Sequence, residues 1–142
     1  MAARRPRVYD TNAYIAALRA REPRALAGPL VWLSAVVVSE LLAGAKTTFE
    51  ERDIRELVDS SRRRGRLLIP TEQDWLQAGE LIGRYSRQHG ALKPRDHFAD
   101  VLICLAAARI AGEVVTANLV DFRRWARMLR QSSGDVGVTD TL

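Results

Sequence analysis

The sequence contains one cysteine, two histidines and no long apolar run, and each shortage excludes a class of protein. Cys104 alone forms no internal disulfide and builds no cysteine-based zinc site. His89 and His97 supply too few nitrogen ligands for a zinc centre. No apolar segment reaches the roughly 18 residues that span a bilayer, and "MAARRPR" leads into no signal-peptide core. We therefore expect a cytoplasmic protein without membrane contact, in which any metal is held by oxygen.

Lysine is also scarce, because Lys46 and Lys93 are the only two in the chain. Arginine nevertheless raises the formal net charge to +5, which favours contact with a polyanion or an acidic partner. Arginine enrichment can equally reflect genome composition, so position is more informative than number. The charge is concentrated in "SRRRGR" at 61–66 and "RRWARMLR" at 123–130.

Short apolar segments alternate with longer helical patterns along the chain. The strands are predicted at 7–10, 30–35, 66–70 and 113–118, with a possible edge strand at 135–140. The helices are predicted at 12–20, 36–46, 49–65, 71–90, 97–112 and 121–130, and a loop at 21–30. This alternation predicts an α/β fold, a three-layer α/β/α sandwich with a mainly parallel sheet, built as a single domain over residues 1–142.

Four carboxylates stand apart from the other acidic residues, which lie in polar surroundings. Asp10 ends the first strand, and Asp121 follows the strand "VVTAN" at the start of the last helix. Glu40 and Asp100 are each the only charge in an apolar helix turn. A buried carboxylate without a partner costs several kcal/mol, so it requires a cation, hydrogen bonds or a raised pKa. We expect that these four acids have a shared function.

The placement of these acids suggests a metal site. In open α/β sheets, ligands bind outside the carboxyl ends of the strands, where Asp10 and the "TAN" of residues 116–118 both fall. Four acids gathered there would repel one another, and a divalent cation would keep them ionised. Magnesium or manganese suits an oxygen-only site that binds substrate phosphate, which is the equipment for hydrolysing a phosphodiester.

Structural explanations stand beside this hypothesis. Asp10 also fits a surface turn, Glu40 and Asp100 also fit buried ion pairs with arginine, and Asp121 also fits an N-cap. Asp96 is predicted to cap the helix that starts at His97, and His97 is predicted to pack or face solvent rather than act as a base.

At these residues the sequence resembles the PIN-domain ribonucleases, in particular the VapC-like toxins of type II toxin-antitoxin systems. The matching segments are "YDTNAYI", "VVVSELLAG", "FADVLICLAAA" and "VVTANLVDF", which appear in order and span nearly the whole chain. The last segment has Ala117 where the family often has arginine.

The resemblance implies metal-centred catalysis by Asp10, Glu40, Asp100 and Asp121, with Mg2+ or Mn2+ as cofactor. It implies supporting polar roles for Thr116 and Asn118, and a role for Asn12 in shaping the first loop. In similar proteins no side chain attacks the substrate, and a metal-bound water cleaves RNA endonucleolytically.

The implied partners are an RNA substrate, of the transfer or ribosomal kind, an antitoxin protein and a second copy of the chain. Candidate contacts to the RNA backbone, each of which also fits a solvated face, are Arg62, Arg63, Arg64, Arg66, Arg123, Arg124 and Arg127.

Two other functions are weighed against this one. A phosphatase of the haloacid-dehalogenase kind is disfavoured, because the sequence lacks a second aspartate two residues after Asp10. A basic RNA- or protein-binding module with little nuclease activity would be indicated by the loss of one of the four acids, and all four are present.

Overall fold

A parallel sheet forms the centre of the molecule, a computed structural model that describes residues 3–20, 26, 28–132 and 134–140. Its strands are β1 Arg7–Tyr9, β2 Val31–Ser34, β3 Leu67–Leu68, β4 Glu113–Val115 and β5 Gly137–Thr139. They lie in the order β3-β2-β1-β4-β5, and every neighbouring pair is parallel. The predicted edge strand near the end of the chain is confirmed, since β5 lies at one side of this sheet.

The helices in the described part of the chain flank this sheet. They are α1 Thr11–Arg19, α2 Ala35–Gly44, α3 Thr48–Arg63, α4 Glu72–His89, α5 Phe98–Arg109 and α6 Leu119–Arg130. The predicted three-layer α/β/α sandwich is therefore confirmed, with strands and helices within a few residues of their predicted bounds. In the predicted loop at 21–30, residues 21–25 and 27 lie outside the described part.

Side-chain caps determine where several helices begin. The Ser34 hydroxyl accepts hydrogen bonds from the backbone N–H groups of Val36 and Val37, which starts α2 directly after β2. Thr71 and Asp74 form a capping box at the start of α4, so the predicted N-cap at Thr71 is confirmed. Such caps stabilise a helix by about 1 kcal/mol each.

The start of α5 differs from its prediction. Asp96 belongs to a short 3-10 turn, Pro94–Asp96, and its side chain is exposed. The N-cap of α5 is His97, which makes no side-chain capping bond. The prediction that Asp96 caps this helix is wrong, because the proline-initiated turn places Asp96 one residue too early.

Helix α5 forms the centre of the hydrophobic core. All residues from Val101 to Ala107 are buried, so this helix has no solvated face along two turns. Trp125 and Phe122 of α6 are fully buried with it. Each large apolar side chain buried in this way contributes about 1.5–3 kcal/mol. Within the described residues, no helix is both long and apolar enough to cross a membrane.

The direction of the chain across the sheet changes next to β1. From β1 the chain proceeds outward through β2 to β3, and it then returns to β4 on the other side of β1. At such a switch point the connections leave on opposite sides, which opens a crevice at the carboxyl ends of the two central strands. Asp10 follows β1 and Thr116 follows β4, so both lie at this crevice.

Candidate active site

Asp10 lies between β1 and α1 and is only 7% exposed. Its Oδ1 accepts a hydrogen bond of 2.7 Å from the Thr11 backbone N–H, and its Oδ2 accepts one of 2.9 Å from the Thr116 hydroxyl. The backbone N–H of Asp10 donates to the Val115 carbonyl at 2.9 Å. Asp10 is therefore the N-cap of α1 and is held against β4, which excludes an exposed surface turn.

A chain of hydrogen bonds joins Asp10 to Asp121. The buried Thr116 hydroxyl, which donates to Asp10, also accepts from the Asn118 backbone N–H at 2.9 Å. The Asn118 side-chain amide donates to Asp121 Oδ2 at 2.9 Å. Asn118 is the N-cap of α6, and Asp121 lies in the first turn of that helix. The alternative that Asp121 itself is the cap is wrong, because Asn118 occupies that position.

Glu40 lies on α2 and is connected to the same edge through Thr11. Its Oε1 accepts a hydrogen bond of 2.9 Å from the Thr11 hydroxyl. Glu40 is exposed, so our expectation of a buried carboxylate here is wrong. Helix α2 buries Val37 and Leu41 in the core and exposes Ser39 and Glu40 to solvent.

Asp100 occupies the first turn of α5 and is partly buried. Burial, together with the nearby charges of Asp10, Asp121 and Glu40, raises the pKa of its carboxyl to about 7. The structure thus brings all four predicted acids into electrostatic contact. Within the described residues the Asp100 side chain has no hydrogen bond or ion pair, although arginine is the commonest charged residue in the chain.

Cations from the protein balance only part of this charge. Arg124 lies with Nη1 3.4 Å from Asp121 Oδ1. Among the residues that the structure describes, Asp10, Glu40 and Asp100 form no ion pair. The alternative of buried ion pairs with arginine is therefore not observed for these three. Three carboxylates gathered without a basic partner fit a site for an added cation.

The side chains at this edge fit magnesium or manganese better than zinc. The available atoms are carboxylate, hydroxyl and amide oxygens, which hard divalent cations prefer. Cys104 is buried one turn after Asp100, and burial raises the pKa of its thiol, which disfavours a thiolate ligand. No three Asp, Glu, His or Cys side chains among the described residues form a ready cage. Magnesium does not require one, since one or two carboxylates and retained waters commonly hold it.

The two arginine groups lie at different places. Arg123, Arg124 and Arg127 belong to α6, whose first turn holds Asp121. Arg62, Arg63, Arg64 and Arg66 lie at the end of α3 and before β3, at the amino end of that strand. The structure therefore brings Arg124 of α6 into contact with the acidic edge, and it does not bring the 62–66 group there. Arg62 pairs with Asp59 at 2.9 Å, and Arg66 covers the Trp32 ring at 4.8 Å.

Two further predictions concern Asn12 and His97. Asn12 is exposed in the first turn of α1 and makes no side-chain hydrogen bond within the described residues, so its contacts lend no support to a loop-shaping role. Thr11, which no sequence pattern singled out, donates the hydrogen bond to Glu40 instead. His97 packs against Trp125, with ring centroids 5.5 Å apart, in agreement with the packing prediction.

A cavity among the described residues lies away from the four acids. It has a volume of about 600 Å³ and is lined by residues that include Asp74, Leu105, Arg109 and Leu129. Its charged groups are paired with one another, as in the Asp74–Arg109 contact of 3.2 Å. We therefore identify the candidate active site with the acidic edge rather than with this cavity.

Comparison with known proteins gives one family and a consistent fold. The family model described as PIN domain matches residues 7–128. VapBC-1 from nontypeable Haemophilus influenzae is 21% identical with a TM-score of 0.62, over 93% of this chain and 96% of that chain. FitAcB from Neisseria gonorrhoeae is 24% identical with a TM-score of 0.63, over 94% and 96%.

A third solved structure, VapBC2 from Rickettsia felis bound to a fragment of promoter DNA, is 19% identical. Its TM-score is 0.61, over 94% of this chain and 98% of that chain. No curated protein sequence matches the chain. At these identities the solved structures establish the fold that this chain shares with them.

Proposed function

The chain belongs to the PIN domain family, and on that premise we propose that it is a magnesium- or manganese-dependent endoribonuclease, the toxin of a toxin-antitoxin module. We also propose that residues 1–142 form one PIN-like domain. The family match supports this, because it begins at β1 and ends within α6.

The surroundings of Asp100 are the observation that carries the nuclease proposal. Burial and three other carboxylates raise its pKa to about 7, and no basic side chain among the described residues is paired with it. Like charges concentrated in this way destabilise the folded protein, so the arrangement is explained by what it binds. The alternative, a binding module with a degenerate site, would not require all four acids at one edge.

The metal would be held by Asp10, Asp100, Glu40 and Asp121, directly or through water. When bound, Mg2+ or Mn2+ would lower the pKa of water and neutralise the charge that develops on the leaving oxygen of a phosphodiester. Asp10 is oriented for this by Thr11 and Thr116, and Asp121 is oriented by Asn118. These hydrogen bonds restrict the carboxylate rotamers, so less ordering is needed when the metal binds.

RNA would be held near this site by basic residues. Arg123, Arg124 and Arg127 extend along α6 from the acidic turn and would contact backbone phosphates. The group Arg62, Arg63, Arg64 and Arg66, at the amino end of β3, would contribute only for a long or folded substrate. Transfer and ribosomal RNAs are such substrates, and the resemblance to VapC-like toxins favours them.

The proposed protein partners are a cognate antitoxin and a second copy of the chain. The solved structures that share this fold include VapBC and FitAcB proteins, which supports an antitoxin. Two apolar side chains, Phe49 at the start of α3 and Val120 at the start of α6, are each 73% exposed. Their exposure is consistent with contact to a partner protein.

The proposal is tested by incubating purified protein with transfer and ribosomal RNA in magnesium, in manganese and in excess chelator. We expect cleavage in either metal and none in chelator. Asp100→Asn should abolish the cleavage, whereas Asp59→Asn, which removes an exposed acid of α3 paired with Arg62, should leave it intact.

Mapping RNA ends across the transcriptome after brief expression would then identify the substrate. Cleavage that persists in chelator, or that Asp100→Asn retains, would refute the metal-dependent mechanism.

A further inference from the structure

A cluster of planar side chains lies between α4 and α6, with the His89 and Trp125 rings tilted by 39° and 58° against the Tyr85 ring. Tyr85 of α4 is partly buried, and the His89 ring lies 4.6 Å from it between centroids. The Arg124 guanidinium lies 5.1 Å from the Tyr85 ring centroid, and the buried Trp125 ring lies 5.6 Å from it. Tyr85 thus contacts three planar groups, of which His89 is exposed to solvent.

This cluster is joined directly to the acidic edge through Arg124. The same guanidinium that covers Tyr85 approaches Asp121 Oδ1 with its Nη1 at 3.4 Å. Asp121 in turn accepts a hydrogen bond from Asn118, at the carboxyl end of β4. One side chain therefore separates the aromatic rings from the proposed metal site.

Helix packing accounts for only the buried part of the cluster. Trp125 is fully buried and contacts His97, the N-cap of α5, as well as Tyr85, as core aromatics do. His89 is the last residue of α4 and is exposed, so its ring contributes little to the core. Its ring is accessible to solvent, and the Tyr85 ring that it contacts is also contacted by the Arg124 guanidinium.

The positive charge around the cluster favours binding of a polyanion. Arg87 on α4, and Arg123 and Arg127 on α6, are exposed, and none of them forms an ion pair within the described residues. Arg84 of α4 donates a hydrogen bond to the Ser132 hydroxyl. Because a hydroxyl is neutral, this bond leaves the positive charge of Arg84 uncompensated. Arginine beside an aromatic ring is the combination by which proteins hold single-stranded nucleic acid.

We propose that His89, Tyr85 and Arg124 form a platform on which an RNA base stacks next to the scissile phosphate. The inference rests on the proposed nuclease function and assigns the residues that position the substrate. His89 and Arg124 offer the faces that contact the bases, and Tyr85 holds both in place from below. Arg87, Arg123 and Arg127 bind the phosphates on either side.

The test compares binding of two fluorescein-labelled probes by anisotropy, in magnesium and in an Asp100→Asn background that prevents cleavage. One probe is a single-stranded RNA of mixed sequence, about 12 nucleotides long, and the other is its abasic equivalent with the same phosphates. His89→Ala should weaken binding of the first probe about fivefold or more, since base–aromatic stacking has this magnitude. It should change binding of the abasic probe less than about twofold.

Two further variants sharpen the result. Gln88→Ala, which alters the exposed neighbour of His89, should leave binding of both probes unaffected. Arg124→Lys retains the charge and loses the plane, so it should weaken the base-containing probe more than the abasic probe. Equal losses on both probes, or no loss in His89→Ala, would overturn the platform.

The same RNA is incubated with the otherwise unaltered protein to separate this inference from the proposed function. Base-dependent binding without cleavage would support the platform and refute the nuclease. Cleavage without base-dependent binding would support the nuclease and refute the platform.

Discussion

The two ends of the strand pair β1 and β4 carry charge in opposite ways. At the amino end, Arg7 and Glu113 are direct cross-strand neighbours and form an ion pair with a distance of 3.1 Å. At the carboxyl end, Asp10 faces Thr116, with Asp100, Asp121 and Glu40 nearby. The amino end is balanced within the chain, whereas at the carboxyl end only Asp121 has a basic partner among the described residues, and we propose a metal site there. Balanced charge serves the fold, and unbalanced charge at a strand end indicates function.

The largest expected difference between the two ends is in catalysis. Asp10→Asn should reduce kcat/KM for RNA cleavage at least about 100-fold, because it removes several kcal/mol of transition-state stabilisation. Glu113→Gln, at the other end of the same strand pair, should leave kcat/KM within about twofold. Initial rates on one RNA at several concentrations give both values, and similar losses in both variants would contradict the comparison.

Metal binding should distinguish the two ends next. Magnesium at about 100 times its Kd should stabilise the protein by about 2.7 kcal/mol, because it binds only the folded state. This corresponds to a rise in Tm of several degrees, measured by thermal unfolding at pH 8. Asp100→Asn should lose most of the rise and Glu113→Gln none of it. A rise of equal size in both variants would show that the metal binds elsewhere.

A smaller effect should appear in the pH dependence of the metal-free protein. The folded state raises the Asp100 pKa from 3.8 to about 7, so it retains a proton that the unfolded chain releases. Stability should therefore decrease as pH rises from about 4 to about 7, and the loss should be complete above pH 7.

Replacing Asp100 removes this penalty. Asp100→Asn should raise Tm at pH 8 by roughly 3–6 °C, after allowance for solvent screening of a partly exposed group, and should change it little at pH 4. Thermal unfolding in chelator at both pH values measures this. An increase of the same size at pH 4 would point to altered packing rather than to charge.

The smallest effect is expected at the balanced end. Glu113→Gln should lower the free energy of unfolding by about 1 kcal/mol or less, because both side chains of the Arg7–Glu113 pair are partly exposed, at 23% and 27%. Urea unfolding measures the change. A decrease of several kcal/mol in the free energy of unfolding would mean that replacing Glu113 leaves an uncompensated charge at this end.

The fold was predictable because its signals are local. Apolar segments of strand length, helix caps such as Thr71 and the buried pattern of α5 are all read from neighbouring residues. The association of Asp10 with Thr116 also followed, since the carboxyl ends of parallel strands share one edge. The start of α5 was mispredicted because a 3-10 turn and a helical first turn have similar sequence signals.

The site was predictable in residue type and less so in environment. Glu40 was expected in a buried setting, yet α2 turns it toward solvent, and its hydrogen bond comes from Thr11 of another helix. The arginines at 62–66 and those of α6 look equivalent in sequence. Only the second group begins beside the acids, because α6 leaves the carboxyl end of β4.

By itself, the sequence determined the elements, their parallel arrangement and the four acids of the proposed site, because periodicity and residue chemistry are properties of the chain. The tertiary structure decided which charged groups lie close enough to interact. Asp100 acquires its raised pKa from burial and from residues 10, 121 and 40, and Arg124 contacts Tyr85 across two helices. Electrostatic and stacking energies depend on distances of a few ångströms between segments far apart in the chain, and folding alone sets those distances.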